Sequence, residues 1–160
     1  MLNALLEQHI ATLRNTSGRL VELTDGISER ALDFRAHADD WTIREILAHL
    51  VDDEMYVMRL RLARIVKEQD PQLAPNDEKA WYATRNTSRD QLAELLADFS
   101  LQRAASLGII AFLTEDQWAR GGIQPEYGHF TAAEWLGYWA EHDMTHLEQI
   151  ENNLTATERE

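Results

Sequence analysis

Apolar side chains recur at helical spacing along almost the whole of this 160-residue chain, and this patterning limits what the chain can fold into. Only three prolines and seven glycines interrupt it. The first segment carries apolar residues at Leu2, Leu5, Leu6, Ile10, Leu13, Leu20 and Leu23. This stripe is typical of an amphipathic helix over residues 2–24. No segment alternates apolar and polar residues between turn signals, so we expect no β-strand.

Capping boxes, in which a Ser or Thr precedes a Glu or Gln by three positions, predict where the other long helices begin. The pairs are Thr42 with Glu45, Ser88 with Gln91, and Thr131 with Glu134. The predicted helices cover about 42–69, 88–113 and 131–154, with shorter helical pieces after Ser28 and around DEKAWYA. Four long helices joined by generous loops predict an all-α four-helix bundle, and loops of this length favour crossover connections. We expect a single domain over residues 1–160, with a frayed tail at 155–160.

Composition and charge exclude several classes of function. The formal charge is −13, which repels a phosphate backbone, so we expect no nucleic-acid partner. There is no cysteine, which excludes disulfides, thiolate metal ligands and a thiol nucleophile within the chain. The first residues are amphipathic and include Glu7, unlike a signal peptide, and no membrane-length apolar run is present. We therefore expect a cytoplasmic protein with no membrane partner.

The pair His142 and His146 is the most informative candidate for chemistry. On a helix this spacing puts both imidazoles on one face. A helical wheel places them beside Trp135, Trp139 and Ile150, at one side of the apolar arc. A buried imidazole needs a partner for each ring nitrogen, and a bound metal ion would supply one. Taken alone, such a pair is more often two satisfied or partly exposed histidines.

A third histidine, His49, strengthens the metal interpretation. It lies at the edge of the apolar stripe of the second helix, and three histidines from two helices would form an open metal site. Asp53, one turn later, could orient a ligating imidazole, add a ligand, or form an ion pair at the bundle edge. Glu54 has the same alternatives. The remaining histidines, His9, His37 and His129, have no matching spacing, and we expect surface or packing roles for them.

Two further patterns involve the same helices. The segment His142-Asp143-x-x-His146 is close to the His-Glu-x-x-His motif of zinc proteases, but Asp143 is one methylene too short to replace the Glu, so we reject a protease. The start Trp41-Thr42-x-x-Glu45-x-Leu47 is repeated as Phe130-Thr131-x-x-Glu134-x-Leu136, which aligns Asp53 with His142. Either good helix starts look alike, or the second and fourth helices present polar groups to a shared centre. The side chains of Trp135 and Trp139 could line a pocket beside a metal.

These residues resemble the DinB superfamily. The resemblance rests on Trp41-Thr42-x-x-Glu45-Ile46-Leu47-x-His49-Leu50-x-x-x-Glu54 and, about ninety residues later, on His142-x-x-x-His146-x-x-Gln149-Ile150. It implies a four-helix bundle, often a homodimer, with a divalent metal such as zinc or nickel on His49, His142 and His146. Some members of the family use a low-molecular-weight thiol (bacillithiol, mycothiol or glutathione) as a nucleophile.

Three hypotheses about function follow. The first is a metal-dependent thiol S-transferase that joins a small-molecule electrophile to a thiol cosubstrate, since a thiol on the metal would be deprotonated at neutral pH. The second is a stress-response protein that binds a metal or ligand without turnover. The third is a structural bundle whose histidines are incidental. The same histidines serve the first two hypotheses, so the sequence does not separate them.

Overall fold

The computed structural model describes residues 4–158. Its α-helices, in chain order, are α1 (Ala4–Thr24), α2 (Glu29–Leu32), α3 (Ile43–Asp53), α4 (Arg59–Lys67), α5 (Glu78–Ala83), α6 (Leu92–Ile110), α7 (Glu115–Ala119) and α8 (Ala132–Thr157). The strands are β1 (Gly121–Gln124) and β2 (Gly128–Thr131). A π-helical turn, Glu54–Met58, joins α3 to α4, and the three together are called the composite helix below. In the described residues, no helix is both long and apolar enough to span a membrane.

The four long helices α1, the composite helix, α6 and α8 form the predicted four-helix bundle. Helix α1 packs against α6 and α8, and the composite helix packs against the same two helices. The first and second long helices therefore occupy opposite corners, so residues 25–42 connect them across one end of the bundle. This connection departs from simple up-down-up-down order, as the long loops predicted.

Two of the three predicted capping boxes are present, and one is wrong. At Thr42 and at Thr131 the side-chain and backbone bonds of the box are both made. Ser88 instead lies in a 3₁₀ turn over Thr87–Arg89, because the side chain of Asn86 accepts from its backbone N–H. As a result α6 begins only at Leu92. It ends at Ile110 rather than near 113, because a further capping box at Thr114 starts α7.

The expectation that the chain contains no strand is also wrong. Strands β1 and β2 form an antiparallel hairpin, in which Gly121 is opposite Thr131. Each strand has only four residues, too few to show an alternating pattern. Strand β1 also bonds the loop after α4: Leu73 N–H donates to Ile123 O at 2.8 Å, and Ile123 N–H donates to Pro71 O at 2.9 Å. The hairpin thus anchors the loop that leads to α5.

A buried polar layer separates two apolar clusters inside the bundle. One cluster includes Leu13, Met58 and Trp139, and the other includes Leu20, Leu50 and Leu147. Between them lie four buried polar side chains joined by hydrogen bonds, one from each long helix, namely Thr16, Glu54, Arg103 and Asp143. Helix α8 continues beyond this layer to Thr157 and so includes residues 155–157 of the tail expected to fray. Residues 159–160 lie outside the described part of the chain.

Candidate metal centre

The three predicted histidines meet at one point between the composite helix and α8. The Nε2 atom of His49 lies 3.0 Å from Nε2 of His146 and 3.2 Å from Nε2 of His142, and the last two atoms are 3.2 Å apart. Helical spacing brings the two α8 imidazoles together, and the capping box at Thr42 fixes where α3 starts. His49 and His146 are buried, and His142 is partly exposed.

The chemistry of this donor set fits a divalent metal. Three Nε2 atoms at mutual hydrogen-bond distance cannot all be satisfied by one another, since a neutral imidazole has one donor and one acceptor nitrogen. Three nitrogens bound to a tetrahedral zinc at about 2.0–2.1 Å would lie about 3.3–3.4 Å apart, close to the observed separations. The Nδ1 atom of His146 contacts Gln149 Oε1 at 2.9 Å, which leaves the lone pair of Nε2 directed at the other histidines.

The three histidines of the metal-free centre differ in pKa. Burial lowers the pKa of His49 to about 4 and that of His146 to about 3. Burial opposes protonation of His142 as well, but the carboxylates of Asp143 and Asp53 outweigh it and raise its pKa to about 9. At neutral pH the metal-free cluster therefore carries about one positive charge, from the extra proton on His142.

Two carboxylates border the histidines. Asp53 Oδ1 lies 3.6 Å from His49 Nδ1, and Oδ2 lies 3.5 Å from His142 Nε2. Asn76 donates to the same carboxylate at 3.3 Å. Glu78, which no sequence pattern indicated, begins α5 and brings its Oε2 atom to 3.9 Å from His49 Nε2. Burial and the neighbouring Asp53 raise the pKa of Glu78.

Glu54 lies outside this cluster and belongs to the polar layer. Arg103 donates from Nε and Nη2 to Glu54 at 3.0 and 2.8 Å, and from Nη1 and Nη2 to Asp143 at 2.6 and 3.0 Å. Thr16 also donates to Asp143, at 2.6 Å. These bonds occupy Asp143, which supports the rejection of a protease base. The internal repeat has a counterpart in the structure. It aligns Glu54 with Asp143, which both pair with Arg103, and Asp53 with His142, which contact each other.

The two tryptophans predicted beside the metal lie elsewhere. Trp135 and Trp139 are packed in an apolar cluster, and their indole N–H groups donate to Met58 O and to Glu54. The aromatic residue beside the histidines is Trp41, whose ring meets that of His49 edge-on at 4.9 Å. His37 and His129 are exposed, and His9 is half-buried near Gly137. These positions agree with the surface and packing roles expected for them.

Two cavities reach the histidines from different sides. A cavity of about 400 Å³ borders His146 and is walled by Trp41, Gln149, Asn152 and Asn153 among others. A smaller one of about 60 Å³ borders His142 and Asp53. Glu78 lies on the wall of both. The centre is therefore accessible to a small molecule.

Comparison with known proteins agrees with the sequence resemblance. The chain is 25% identical over 146 residues to "Putative metal-dependent hydrolase YfiT" of Bacillus subtilis, covering 90% of this chain and 81% of the relative. It is 27% identical over 161 residues to a protein of the same description from Oceanobacillus iheyensis, covering 92% and 85%.

The fold has a solved counterpart. The structure of YfiT, described as having "an unusual four-helix bundle topology", superposes with a TM-score of 0.85 at 22% identity, covering 96% of this chain and 88% of that one. The family model of the DinB superfamily matches residues 12–150, which include all three histidines. The chain therefore belongs to the DinB superfamily.

Proposed function

We propose that this protein binds one divalent metal, zinc or nickel, through Nε2 of His49, His142 and His146, and that it hydrolyses a small organic molecule. The convergence of the three Nε2 atoms within 3.2 Å is the observation that carries the metal site. The two relatives, both described as "Putative metal-dependent hydrolase", support hydrolysis.

A bound metal would act as a Lewis acid, lowering the pKa of a nucleophile and polarising the bond to be cleaved. The role left to the protein is to move protons. In hydrolysis a base assists by taking the proton of the attacking water, and Glu78, 3.9 Å from His49 Nε2 with a raised pKa, would serve as this base. Asp53, which accepts from Asn76, lies 3.6 Å from His49 Nδ1 and would orient that imidazole, leaving its Nε2 atom for the metal.

Thiol transfer is the second candidate, and the cavity beside His146 favours it. This cavity has about 400 Å³ of space and presents the amides of Gln149, Asn152 and Asn153, which suit a polar, peptide-like thiol cosubstrate. The chain has no cysteine of its own, so the thiol would come from solution. A thiol would be deprotonated on the metal without help from a base, so this reaction would not depend on Glu78.

Glu78→Gln separates the two reactions. Zinc-loaded and nickel-loaded protein would be assayed against a panel of nitrophenyl esters and anilides without thiol, and against chloro-dinitrobenzene with glutathione, bacillithiol or cysteine. Hydrolysis predicts ester or anilide turnover that falls by about 10²–10⁴-fold in Glu78→Gln and persists in Glu126→Gln, a matched change on the wall of the same small cavity.

Three outcomes are informative. Thiol conjugation that survives Glu78→Gln would support the S-transferase in place of the hydrolase. Loaded protein that turns over none of these compounds, but is stabilised by one of them, would support a stress-response protein that binds a metal or ligand without turnover. Hydrolysis that survives Glu78→Gln would remove Glu78 as the base.

A further inference from the structure

A surface cleft lies beside the small cavity at His142, and several of its apolar walls are open to solvent. The outer cleft has about 480 Å³ of space and is lined by Tyr56, Leu60, Leu73, Pro75 and Trp81 among others. Tyr56, Leu60 and Trp81 are 47, 51 and 46% exposed, far more than the core residues around them. The rings of Tyr56 and Trp81 lie 5.2 Å apart, and the Trp81 indole N–H donates to Asp52 at 3.0 Å. The aromatic wall is therefore held in place although it is open to solvent.

The outer cleft and the small cavity at His142 are neighbours. Val57, Arg61 and Asn76 line both spaces. Tyr56 and Val57 belong to the π-helical turn, and such turns interrupt α-helices frequently at functional sites. A molecule whose apolar part fills the outer cleft would therefore extend past Arg61 toward His142.

Arg61, which lines both spaces, is a buried cation that lacks a carboxylate partner in the described residues. It is only 9% exposed, its Nη2 donates to Ala74 O at 2.6 Å, and its guanidinium lies 5.2 Å from the Trp135 ring centroid. Within residues 4–158 no carboxylate lies at ion-pair distance from it. The other arginine that is buried in the described part of the chain, Arg103, pairs with two carboxylates. A guanidinium has five N–H donors, so Arg61 has donors left for a ligand.

The surrounding charges decide which ligand it can bind. Asp53, Glu78 and Glu126 also line the small cavity and would repel an anion. A divalent cation on the histidines together with Arg61 would supply three positive charges against these three negative ones. The metal therefore makes binding of an anionic group beside Arg61 more favourable.

We propose that the outer cleft binds the apolar body of the substrate and that Arg61 binds a carboxylate of the same molecule, so that the substrate is a small amphiphilic carboxylic acid. This inference rests on the proposed function, because it needs the metal. A guanidinium pairs with the two oxygens of a carboxylate in a fixed, forked geometry, and the aromatic pair offers a flat apolar surface for the rest of the molecule.

Phenylpropanoate and phenylpropanamide test this proposal, since they have nearly the same shape and differ in charge. Both would be titrated into zinc-loaded protein, with binding followed by protein-observed NMR and the zinc content measured on the same samples. We expect the acid to bind at least about tenfold more tightly than the amide, as for other hydrogen bonds to charged groups. We also expect the Trp81 indole signal to shift.

Variants separate the two parts of the site. Arg61→Gln should abolish the preference for the acid, and Arg61→Lys should retain part of it, with melting temperatures confirming that both are folded. Arg64→Gln is the matched control, since Arg64 lines the same outer cleft but is paired with Glu68, and it should keep the full preference. Trp81→Ala should weaken acid and amide alike.

Each contrary result has a distinct meaning. Equal affinities for acid and amide in protein with one zinc per chain would overturn the inference and leave the metal site standing. Signal shifts that leave the Tyr56–Trp81 wall untouched would also overturn it, as would an unchanged preference after zinc is removed. A sample that binds no zinc would overturn both this inference and the proposed function.

Discussion

His146 and Gln149, one turn apart on α8, are joined by a 2.9 Å contact between Nδ1 and Oε1. Because the amide oxygen accepts from Nδ1–H, the lone pair of His146 Nε2 is free for a metal. Loss of such a partner typically weakens metal binding by about 10–100-fold. We expect this effect for Gln149→Ala in a competition titration against a chromophoric chelator, and a smaller effect for Gln149→Glu, which keeps an acceptor.

Asn152→Ala provides the control for this prediction. Asn152 lines the same cavity as Gln149 and has no contact with the histidine cluster among the described residues. Its replacement should leave the zinc affinity unchanged. If Gln149→Ala and Asn152→Ala bind zinc equally well, the role assigned to Gln149 is wrong.

Metal binding should release about one proton per chain at neutral pH. The pKa of His142 is raised to about 9, so the metal-free protein holds this proton below that pH, whereas His49 and His146, with pKa values of about 4 and 3, are already neutral. The apparent affinity should therefore rise about tenfold per pH unit between roughly pH 6.5 and 8.5. Calorimetry in buffers of different ionisation enthalpy measures the proton count directly. Binding that releases no proton in this range would contradict the charge assigned to His142.

The Arg103 network should matter more for stability than for the metal. Arg103→Met leaves the buried carboxylates of Glu54 and Asp143 without a counter-charge, and such a loss costs about 3–5 kcal/mol of unfolding free energy. The melting temperature should fall by roughly 6–20 °C for a chain of this length. Arg19→Met, which removes an exposed arginine paired with Glu22 and Glu151, should leave the melting temperature nearly unchanged. Equal effects of the two changes would show that the network is not stabilising.

Helix α6 offers a surface for the homodimer that the family resemblance implies. Its exposed residues from Ser100 onward carry no charge, and they include Leu101, 68% exposed, and Ile109, 39% exposed, with Phe112, 85% exposed, just beyond the helix. Two copies of a chain with a net charge of −13 approach most easily through an uncharged face. We propose that this face pairs with itself.

Sedimentation analysis tests the α6 proposal. The unmodified protein should sediment as a dimer, and Leu101→Glu with Ile109→Glu should sediment as a monomer. Met144→Glu, an equivalent change at an exposed position of α8, should remain a dimer. A dimer that persists in the α6 double variant would assign the interface to another surface.

Helical periodicity predicted the bundle and the histidine cluster because both depend on residues three and four positions apart. His142 and His146 needed only that spacing to share a face, and His49 needed only its place on a second apolar stripe. The same reasoning misplaced Trp135 and Trp139, because a helical wheel does not tell whether a neighbour faces the metal or the adjoining apolar cluster.

Features that depend on tertiary contacts were not predictable from these patterns. The hairpin forms because strand β1 pairs with the loop at Pro71–Leu73, a contact between distant segments. The anchored loop leads into α5 and so brings Glu78 to the histidines. Arg61 follows the π-helical turn and lines the same small cavity. The length of Asp143 argued against a base at this position, but its bonds to Arg103 become visible only when α6 and α8 are packed together.

The central claim is that His49, His142 and His146 hold one divalent metal, and metal analysis of protein purified without a histidine tag tests it most directly. The measurement is the molar ratio of bound zinc or nickel after loading and dialysis, for the unmodified protein, for His146→Ala and for His129→Ala as a control outside the cluster. We predict one metal per chain in the unmodified protein and in His129→Ala, and almost none in His146→Ala. An equal metal content in all three proteins, or none in any, would contradict the claim.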